Sequence, residues 1–247
     1  MAKLFDLGTN RRGLIVCGGE ASSDYGMVIA EAPTFEKPSR KNTVYQVPGR
    51  NGAILFQEDA YNDVNRSYRV WVAKDETEDL DEAVRAFTGW LNSITGYQRL
   101  EDNFEPDVFR LAYYNGGQDV SNELTQYGET TITFTCRPER FLKVGEDPIT
   151  VTNGTKVNNP TRFASKPLIH IEGSGTVTIT FGGATMSATL TDYINIDCDA
   201  MNAYRLPAEN RNDKITGTFP KLVPGVNTIA ITGTVTKCVI TPRFFTI

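Results

Sequence analysis

The sequence contains few of the residues from which most catalytic and metal sites are built. Its 247 residues include one histidine, His170, and four cysteines with no C-x-x-C pair. A structural zinc ion needs about four nitrogen or sulfur ligands in tetrahedral reach, and this spacing provides no such local set. No G-x-S-x-G nucleophile motif is present either. The sequence therefore predicts no catalytic residue, no metal and no cofactor. The cysteines are Cys17, Cys136, Cys198 and Cys238.

Those four cysteines are far apart in the chain, which favours buried, reduced thiols. A long-range pair of Cys198 with Cys238 stays open at this point. Long apolar runs are also missing, since no stretch of about 18 apolar residues could span a membrane. The apolar run Leu14 to Cys17 after Arg11 and Arg12 is shorter than the roughly 7–15 residues of a signal-peptide core. We therefore expect synthesis in the cytoplasm and no membrane insertion.

Charge is unevenly distributed along the chain. Residues 1–145 carry 22 acidic and 16 basic side chains, a net of −6, whereas residues 146–247 carry 8 and 9, a net of +1. Binding to a phosphate backbone needs clustered lysine and arginine, so the acidic first part disfavours it. If this part lines a channel, its acidic walls would let nucleic acid slide past, although acidity also serves ordinary solubility. The change in charge suggests domains 1–145 and 146–247.

A dense turn signal lies at Val47–Gly52 between two short apolar stretches. Pro48 presets φ, and Asn51-Gly52 accepts the positive φ values of tight hairpin turns. Strands are expected on both sides, at 43–47 and from Ile54 onward. The pattern predicts a β-hairpin.

One helix is expected over residues 78–94. Apolar side chains recur there at three- and four-residue spacing, and Gly96 follows as a terminating glycine. We expect Phe87 and Trp90 to pack on a sheet. The acidic cluster at 75–82 suits a helix start, where carboxylates meet exposed N–H groups; the alternative is a catalytic or metal-binding carboxylate cluster.

Most other segments alternate as strands. These are 27–36, 68–72, 98–100, 108–114, 130–136, 167–172, 176–181, 193–197, 226–231 and 236–240. Residues 150–162 are polar and suit a loop or a connection between domains. Short strands with glycine turns are typical of a β-sandwich in the second part. His170 is expected in a strand, on the face opposite Ile169 and Ile171, with a structural role favoured over an acid, base or ligand role.

Several segments, in order, resemble the distal tail protein (Dit) family of siphophages. Val47–Gly52 resembles the family's Pro-Gly-Arg-Asp-Gly turn, with Asn51 replacing aspartate. The ending Ile240–Phe245 resembles Pro-Arg-Trp-Arg, with Phe244-Phe245 in place of Trp-Arg. The other matching segments are 89–91 with 100–102, 134–138 with Phe141, 158–160, 166–169, 173–175, 194–197 and 219–227.

The resemblance implies a mainly β fold. Residues 1–145 would form a tail-tube-like β-sandwich with an α-helix and a β-hairpin, and residues 146–247 a minimal galectin-like β-sandwich. Six copies would form a ring at the distal end of the phage tail, joining the tail tube protein to the tail-associated hub protein. DNA would pass through this ring in the virion, and the second domain would project outward. Whether it carries receptor-binding proteins is left open.

The resemblance requires no catalytic residue. The candidate interface is the hairpin turn Pro48, Gly49, Arg50, Asn51 and Gly52, where Arg50 either reaches an acidic neighbour or is only a turn residue. Three other functions are alternatives. They are a lectin-like module that grips host saccharide, a glycosidase with two carboxylates, which nothing in the spacing supports, and the tube protein itself, which the second sandwich disfavours.

Overall fold

The computed structural model describes residues 13–34, 36–73, 80–116, 121–124, 127–206 and 209–247. The chain divides into two compact units, of which the second is Phe141–Thr246 and the first comprises the preceding residues together with Ile247. The predicted fold class, mainly β with one α-helix, is confirmed. No helix in the described ranges is long and apolar enough to cross a membrane.

The first unit is built on an antiparallel sheet with the strand order β2-β1-β7-β8-β10-β6-β3, and β9 pairs with β10. A separate two-stranded sheet joins β4 to β5. The strands are β1 (Ile15–Cys17), β2 (Glu20–Ala21), β3 (Met27–Ile29), β4 (Arg40–Tyr45), β5 (Ile54–Tyr61), β6 (Val64–Ala73), β7 (Gln98–Asp102), β8 (Val108–Tyr114), β9 (Ser121–Leu124) and β10 (Tyr127–Cys136).

The core of the first unit lies between this sheet and the helix α1 (Leu80–Ser93). The helix buries Phe87, Trp90 and Leu91, each at most 3% exposed, as the apolar spacing predicted. The ring of Trp90 stacks on Tyr25, from a 3-10 helix at Ser22–Tyr25, with centroids 5.1 Å apart. Gly96, after the helix, has a φ of 63°, a left-handed value that favours glycine. The acidic cluster at 75–82 lies largely outside the described residues.

The second unit is a β-sandwich whose larger sheet has the order β12-β20-β14-β15-β18, with β16 joining β14 to β17. A second two-stranded sheet pairs β13 with β19, and β11 pairs with β21. The strands are β11 (Arg140–Leu142), β12 (Ile149–Thr150), β13 (Lys156–Asn159), β14 (Leu168–Phe181), β15 (Ala184–Leu190), β16 (Tyr193–Asp197), β17 (Asn202–Tyr204), β18 (Ile215–Gly217), β19 (Gly225–Thr228), β20 (Ala230–Thr241) and β21 (Phe245–Thr246). Two 3-10 helices are Lys143–Glu146 and Asn212–Lys214.

Two sequence predictions about the second unit are wrong. Residues 167–172 and 176–181 form one strand, β14, because the pairing register shifts after Glu172 and the chain continues. A Cβ on Gly173 would lie 2.2 Å from the carbonyl oxygen of Thr234, so this glycine permits a close approach of two strands and does not mark a turn. The polar stretch 150–162 contains strand β13 as well as loop.

The cysteine prediction is confirmed. All four thiols are free and buried, so Cys198 and Cys238 form no disulfide. Burial raises the pKa of Cys17 to about 11 and the pKa of Cys136, Cys198 and Cys238 to about 12 each. At neutral pH these side chains are protonated thiols and pack as small apolar groups.

Candidate assembly surface

The base of the hairpin of β4 and β5 is closed by hydrogen bonds between its two strands. Arg40 donates a hydrogen bond of 2.8 Å to the hydroxyl of Tyr61, and its guanidinium lies 5.0 Å from that ring's centroid. Asn62, just after β5, donates from its backbone to the carbonyl of Ser39 at 2.9 Å and from its amide to the Ser39 hydroxyl at 2.9 Å. These bonds close the hairpin base across residues about twenty positions apart.

Beyond this base the hairpin exposes large apolar side chains. Val44 is 56% exposed, Tyr45 57%, Leu55 53% and Phe56 57%. No residue of either strand is buried. An isolated two-stranded sheet is marginally stable in water, and contiguous exposed apolar groups mark contact surfaces. The hairpin is therefore the candidate assembly surface of the chain.

The hairpin is apolar on both of its faces. Pairing places Tyr45 opposite Ile54 and Val44 opposite Leu55, so successive pairs point to opposite sides. Tyr45 and Phe56 share one side, with their rings edge to face and centroids 5.6 Å apart. Strands with apolar side chains on both faces are typically covered by other protein on both faces.

The predicted interface residues lie at the tip of this hairpin and are all exposed. Positive φ was predicted at Asn51 and Gly52; Gly52 has a φ of 80°, but Asn51 has no positive φ, and the other left-handed residue of the turn is Gly49, with a φ of 79°. The backbone N–H of Arg50 donates to the carbonyl of Val47 at 3.2 Å. No described acidic group forms an ion pair with the Arg50 side chain. The role of Pro48–Gly52 in assembly stays a prediction.

A buried ionic cluster supports the sheet of the first unit. Arg66 on β6 contacts Asp102 at the end of β7 at 2.9 Å, with side chains only 4% and 1% exposed. Asp102 also accepts from the Tyr68 hydroxyl at 2.7 Å. Burial by itself would raise the pKa of Asp102, but the Tyr68 hydrogen bond and the charge of Arg66 together lower it. Glu105 extends the cluster, binding Arg66, Arg110 and Arg140.

On the other face of this sheet, part of β6 and β10 carries small polar side chains, next to Arg69, Glu129 and the exposed ring of Trp71. On β6 and β10 these are Asn65, Ser67, Thr131, Thr133 and Thr135. Adjacent strands are linked across this face by Ser67 with Thr133 at 2.9 Å and by Thr135 with Asn65 at 3.3 Å. The charges beside it are paired, because Arg69 binds both Glu129 and Glu31. We call this surface the hydroxyl face.

Motif residues of the second unit have structural contacts. The amide of Asn227 donates to the carbonyls of Val223 and Gly225 at 2.8 and 3.0 Å and accepts from the Val223 N–H at 2.9 Å. Asn159 donates to the carbonyls of Phe163 and Leu222 at 2.9 and 2.8 Å. These two buried amides brace the loops around β13 and β19.

Two further motifs meet in an ion pair. Arg243 binds Asp197 through two contacts of 2.8 and 3.1 Å. Asp197 also accepts the backbone N–H groups of Asp199 and Ala200. Burial by itself would raise the pKa of Asp197. The hydrogen bonds that it accepts and the charge of Arg243 outweigh burial, so the pKa is lowered. Within the described residues, no group of three or more histidine, cysteine or acidic side chains could hold a metal ion.

Comparison with known families finds a match within the first unit. Residues 25–136 match the family described as the phage tail protein RIFT-related domain. This segment is similar to a phage tail domain. It contains both the β4–β5 hairpin and the hydroxyl face.

Solved structures extend the likeness beyond the phage tail domain. The Dit protein (gp 19.1) of phage SPP1, described as a paradigm of the hub adsorption apparatus in Gram-positive infecting phages, matches with a TM-score of 0.72 and 16% identity. The match covers 95% of this chain and 99% of that chain, and at this identity it shows a shared fold. Chains of the phage p2 baseplate in its activated conformation, with Sr and with Ca, match at a TM-score of 0.49 and 10% identity, covering 92% of this chain and 97% of theirs.

No curated protein sequence matches this chain significantly. The predicted resemblance to the distal tail family is confirmed by the phage tail domain and the shared fold. The matched family and the structural neighbours are structural phage tail proteins and not enzymes. Sequence reasoning found the hairpin turn but missed the ionic cluster and the hydroxyl face. The alternation of polar and apolar residues in β6 and β10 could have indicated the hydroxyl face. No local sequence pattern indicates that Arg66 pairs with Asp102, since they are 36 positions apart.

Proposed function

We propose that this chain is a distal tail protein that forms a hexameric ring at the end of a phage tail. The ring joins the tail tube protein to the tail-associated hub protein, and DNA passes through it during ejection. The observation that carries this proposal is the β4–β5 hairpin, which exposes apolar side chains on both faces outside the unit's own core. The family match of the surrounding segment supports it.

Ring closure needs a surface that meets a different surface of the next copy. Such heterologous contacts close into a ring when the rotation between copies allows it. The hairpin supplies one such surface, with Val44 and Leu55 on one side and Tyr45 and Phe56 on the other. Pro48–Gly52 at its tip would reach the neighbouring subunit, with Arg50 meeting an acidic group there. In this proposal residues 1–145 form the ring and residues 146–247 the galectin-like domain, a candidate attachment point for receptor-binding proteins.

The hydroxyl face suits the channel wall. Attachment to DNA phosphates depends on clustered lysine and arginine. On this face the guanidinium of Arg69 is bound to Glu31 and Glu129, and the central side chains are uncharged. DNA would therefore pass such a wall without strong binding. The chain would be made in the host cytoplasm and act in the virion.

Native mass spectrometry with negative-stain imaging tests the ring. We expect hexamers for the unaltered chain and monomers for a Leu55→Ser, Phe56→Ser double variant, because the apolar contact is removed. Val226→Ser is the matched control, since Val226 is 63% exposed on β19, outside the hairpin. Hexamers that persist in the double variant would contradict the hairpin's role. A chain that stays monomeric even with tube and hub proteins would contradict the ring.

The tip is tested separately by Arg50→Glu. If Arg50 meets an acidic group of the next copy, charge reversal should weaken the hexamer, most strongly at low salt. Arg50→Ala distinguishes loss of attraction from added repulsion. If both variants form hexamers as stable as those of the unaltered chain, Arg50 is only a turn residue.

The channel assignment is tested in phage particles. Glu31→Lys reverses an acid that is 64% exposed beside the hydroxyl face and leaves Arg69 next to a second cation. We expect slower DNA ejection with normal ring assembly. Glu82→Lys, on the exposed side of α1, is the control. Normal ejection kinetics in the Glu31 variant would contradict the assignment.

A further inference from the structure

The sequence contains three Asn-Gly pairs, and each lies outside the strands and helices. Asn51-Gly52 is at the tip of the β4–β5 hairpin, Asn115-Gly116 follows β8, and Asn153-Gly154 lies between β12 and β13. Glycine has no Cβ, so in these pairs no side chain hinders the approach of the asparagine carboxamide to the next backbone nitrogen. Asn-Gly is therefore the pair in which an asparagine side chain reacts most readily with its own backbone.

The reaction of such a pair is a ring closure followed by hydrolysis. Water or hydroxide removes the glycine N–H proton, and the glycine nitrogen attacks Cγ of the asparagine. A C–N bond forms, the bond to the carboxamide nitrogen breaks, and ammonia leaves with a proton taken from water. Water then opens the resulting succinimide at either of its carbonyl groups. One product is aspartate, and the other is isoaspartate, whose main chain is longer by one carbon.

Both reacting groups of the Asn51-Gly52 pair are open to solvent. The two residues are exposed. Among the residues that the structure describes, none binds the Asn51 carboxamide or accepts the Gly52 N–H, and the backbone hydrogen bond of this turn runs from Arg50 to Val47. A Cβ at Gly52 would meet no atom within 4 Å, so the space beside the nitrogen is empty. The carboxamide and the nitrogen can therefore approach each other without breaking a contact.

The Asn153-Gly154 pair is also exposed, but both of its reacting groups are hydrogen-bonded. The Asn153 carboxamide oxygen accepts the backbone N–H of Ile231 at 3.0 Å. The Gly154 N–H donates to the carbonyl of Ile229 at 2.8 Å. Ile231 is on β20 and Ile229 directly precedes it, so a distant segment of the fold holds this turn. Ring closure at Asn153 requires that both bonds break.

We propose that Asn51 is a site of spontaneous deamidation and that the fold protects Asn153 from the same reaction. The two pairs have the same chemistry and are both exposed, and they differ in the hydrogen bonds of the reacting atoms. Because a carboxyl group of this kind is ionised at neutral pH, each event adds a negative charge beside Arg50. The isoaspartate product also lengthens the backbone of the hairpin turn.

Peptide mapping of the whole chain by mass spectrometry tests the proposal. The folded protein is incubated at mildly alkaline pH in heavy-oxygen water, so that each new carboxyl group carries the label and is told apart from an aspartate encoded in the sequence. We expect deamidation at Asn51 to be at least about tenfold faster than at Asn153, because the reaction at Asn153 requires two hydrogen bonds to break. Isoaspartate should appear at position 51 together with aspartate.

The same map in urea, with the chain unfolded, is the matched control. Without the bonds to Ile229 and Ile231, Asn153 should react at a rate similar to that of Asn51. Equal rates at the two sites in the folded chain would overturn the proposal. A difference that persists unchanged in urea would also overturn it, since the neighbouring sequence and not the fold would then set the rates.

Deamidation at the tip should also weaken assembly, a consequence that rests on the proposed ring. The longer isoaspartate backbone cannot keep the geometry of the turn at Pro48–Gly52. Native mass spectrometry before and after incubation should therefore show that the unaltered chain loses hexamers.

Two variants assign that loss to one site, each compared with its own state before incubation. Asn51→Gln should lose few hexamers, because its longer side chain must close a larger and less favourable ring. Asn115→Gln removes an Asn-Gly pair outside the hairpin and should lose them as the unaltered chain does. Protection by Asn115→Gln and not by Asn51→Gln would overturn the effect on assembly. Peptide mapping needs no hexamer, so failure of the proposed ring and failure of the deamidation proposal are distinguishable.

Discussion

The chain contains two small two-stranded sheets that differ in what covers them. In β13–β19 every second residue turns inward, and Val157, Asn159 and Asn227 are at most 3% exposed. In β4–β5 no residue is buried, although Val44, Leu55 and Phe56 are as apolar as core residues. Both sheets have the same antiparallel pairing.

The difference shows that strand pairing alone does not say whether a sheet belongs to its own domain's core. The β13–β19 sheet is covered by the chain itself and contributes to the stability of the second unit. The β4–β5 sheet presents its apolar groups outward, and in the proposed ring its contribution is to association. The effects of substitution should therefore differ between covered and exposed positions.

The largest effect is expected where the first unit's own core is broken. Asp102→Asn removes the nearer carboxylate partner of the buried Arg66 and leaves Glu105 at 3.5 Å as the other, so the cost should approach the roughly 3–5 kcal/mol of breaking a buried pair. Phe56→Ser, in the exposed hairpin of the same unit, should change the free energy of unfolding by less than about 0.5 kcal/mol. Urea denaturation of each variant at neutral pH measures both values. Equal losses would mean that the hairpin belongs to the cooperative core.

The stability of the buried cluster should depend on pH, whereas the contribution of the hairpin should not. Burial alone would raise the pKa of Asp102, but the hydrogen bond from Tyr68 and the charge of Arg66 lower it from the ordinary 3.8. A carboxyl with a lowered pKa stabilises the fold fully above its unfolded pKa, and this stability is lost as the pH falls through the folded value. We expect the first unit to lose this contribution progressively below about pH 4. Asp102→Asn should flatten that dependence, and Phe56→Ser should leave it unchanged.

The next largest effect is expected in the covered two-stranded sheet. Asn227→Ala removes a buried amide and leaves the carbonyls of Val223 and Gly225 without their donor, at a cost of about 2–3 kcal/mol. Asn158→Ala, an exposed amide on the facing strand, should change stability by less than about 0.5 kcal/mol. Thermal unfolding followed by circular dichroism compares the two. A small effect in both would mean that the amide brace is dispensable.

A smaller difference in stability is expected between two matched valines, one in each two-stranded sheet. Val157→Ala deletes apolar atoms that are 2% exposed and should cost about 2 kcal/mol. Val44→Ala deletes the same atoms where the side chain is 56% exposed and should cost less than about 0.5 kcal/mol in the monomer. Only Val44→Ala should weaken the hexamer. The reverse pattern, with Val157→Ala affecting assembly and Val44→Ala affecting unfolding, would overturn the comparison.

Much of the fold could be predicted because it depends on local periodicity. The alternation of Val108–Tyr114 gave that strand with its observed bounds, and the spacing of Phe87, Trp90 and Leu91 gave the buried side of α1. The place of the turn at Val47–Gly52 was predicted correctly, although the left-handed residues are Gly49 and Gly52 and not Asn51. The continuity of β14 could not be predicted, because Gly173 has the same local signature in a turn as in a close approach to Thr234.

The sequence by itself determined α1, strands such as Val108–Tyr114, the place of the hairpin turn and the residues that share a strand face, since these follow from neighbours a few positions apart. Only the tertiary structure decided which faces are covered. Arg66 and Asp102 are 36 positions apart, and Val157 and Asn227 are 70 apart. Burial depends on such distant partners, so Val44 and Val157 look alike in the sequence and differ in the fold. The apolar faces of β4–β5 and the hydrogen bonds that hold Asn153-Gly154 became visible only in three dimensions.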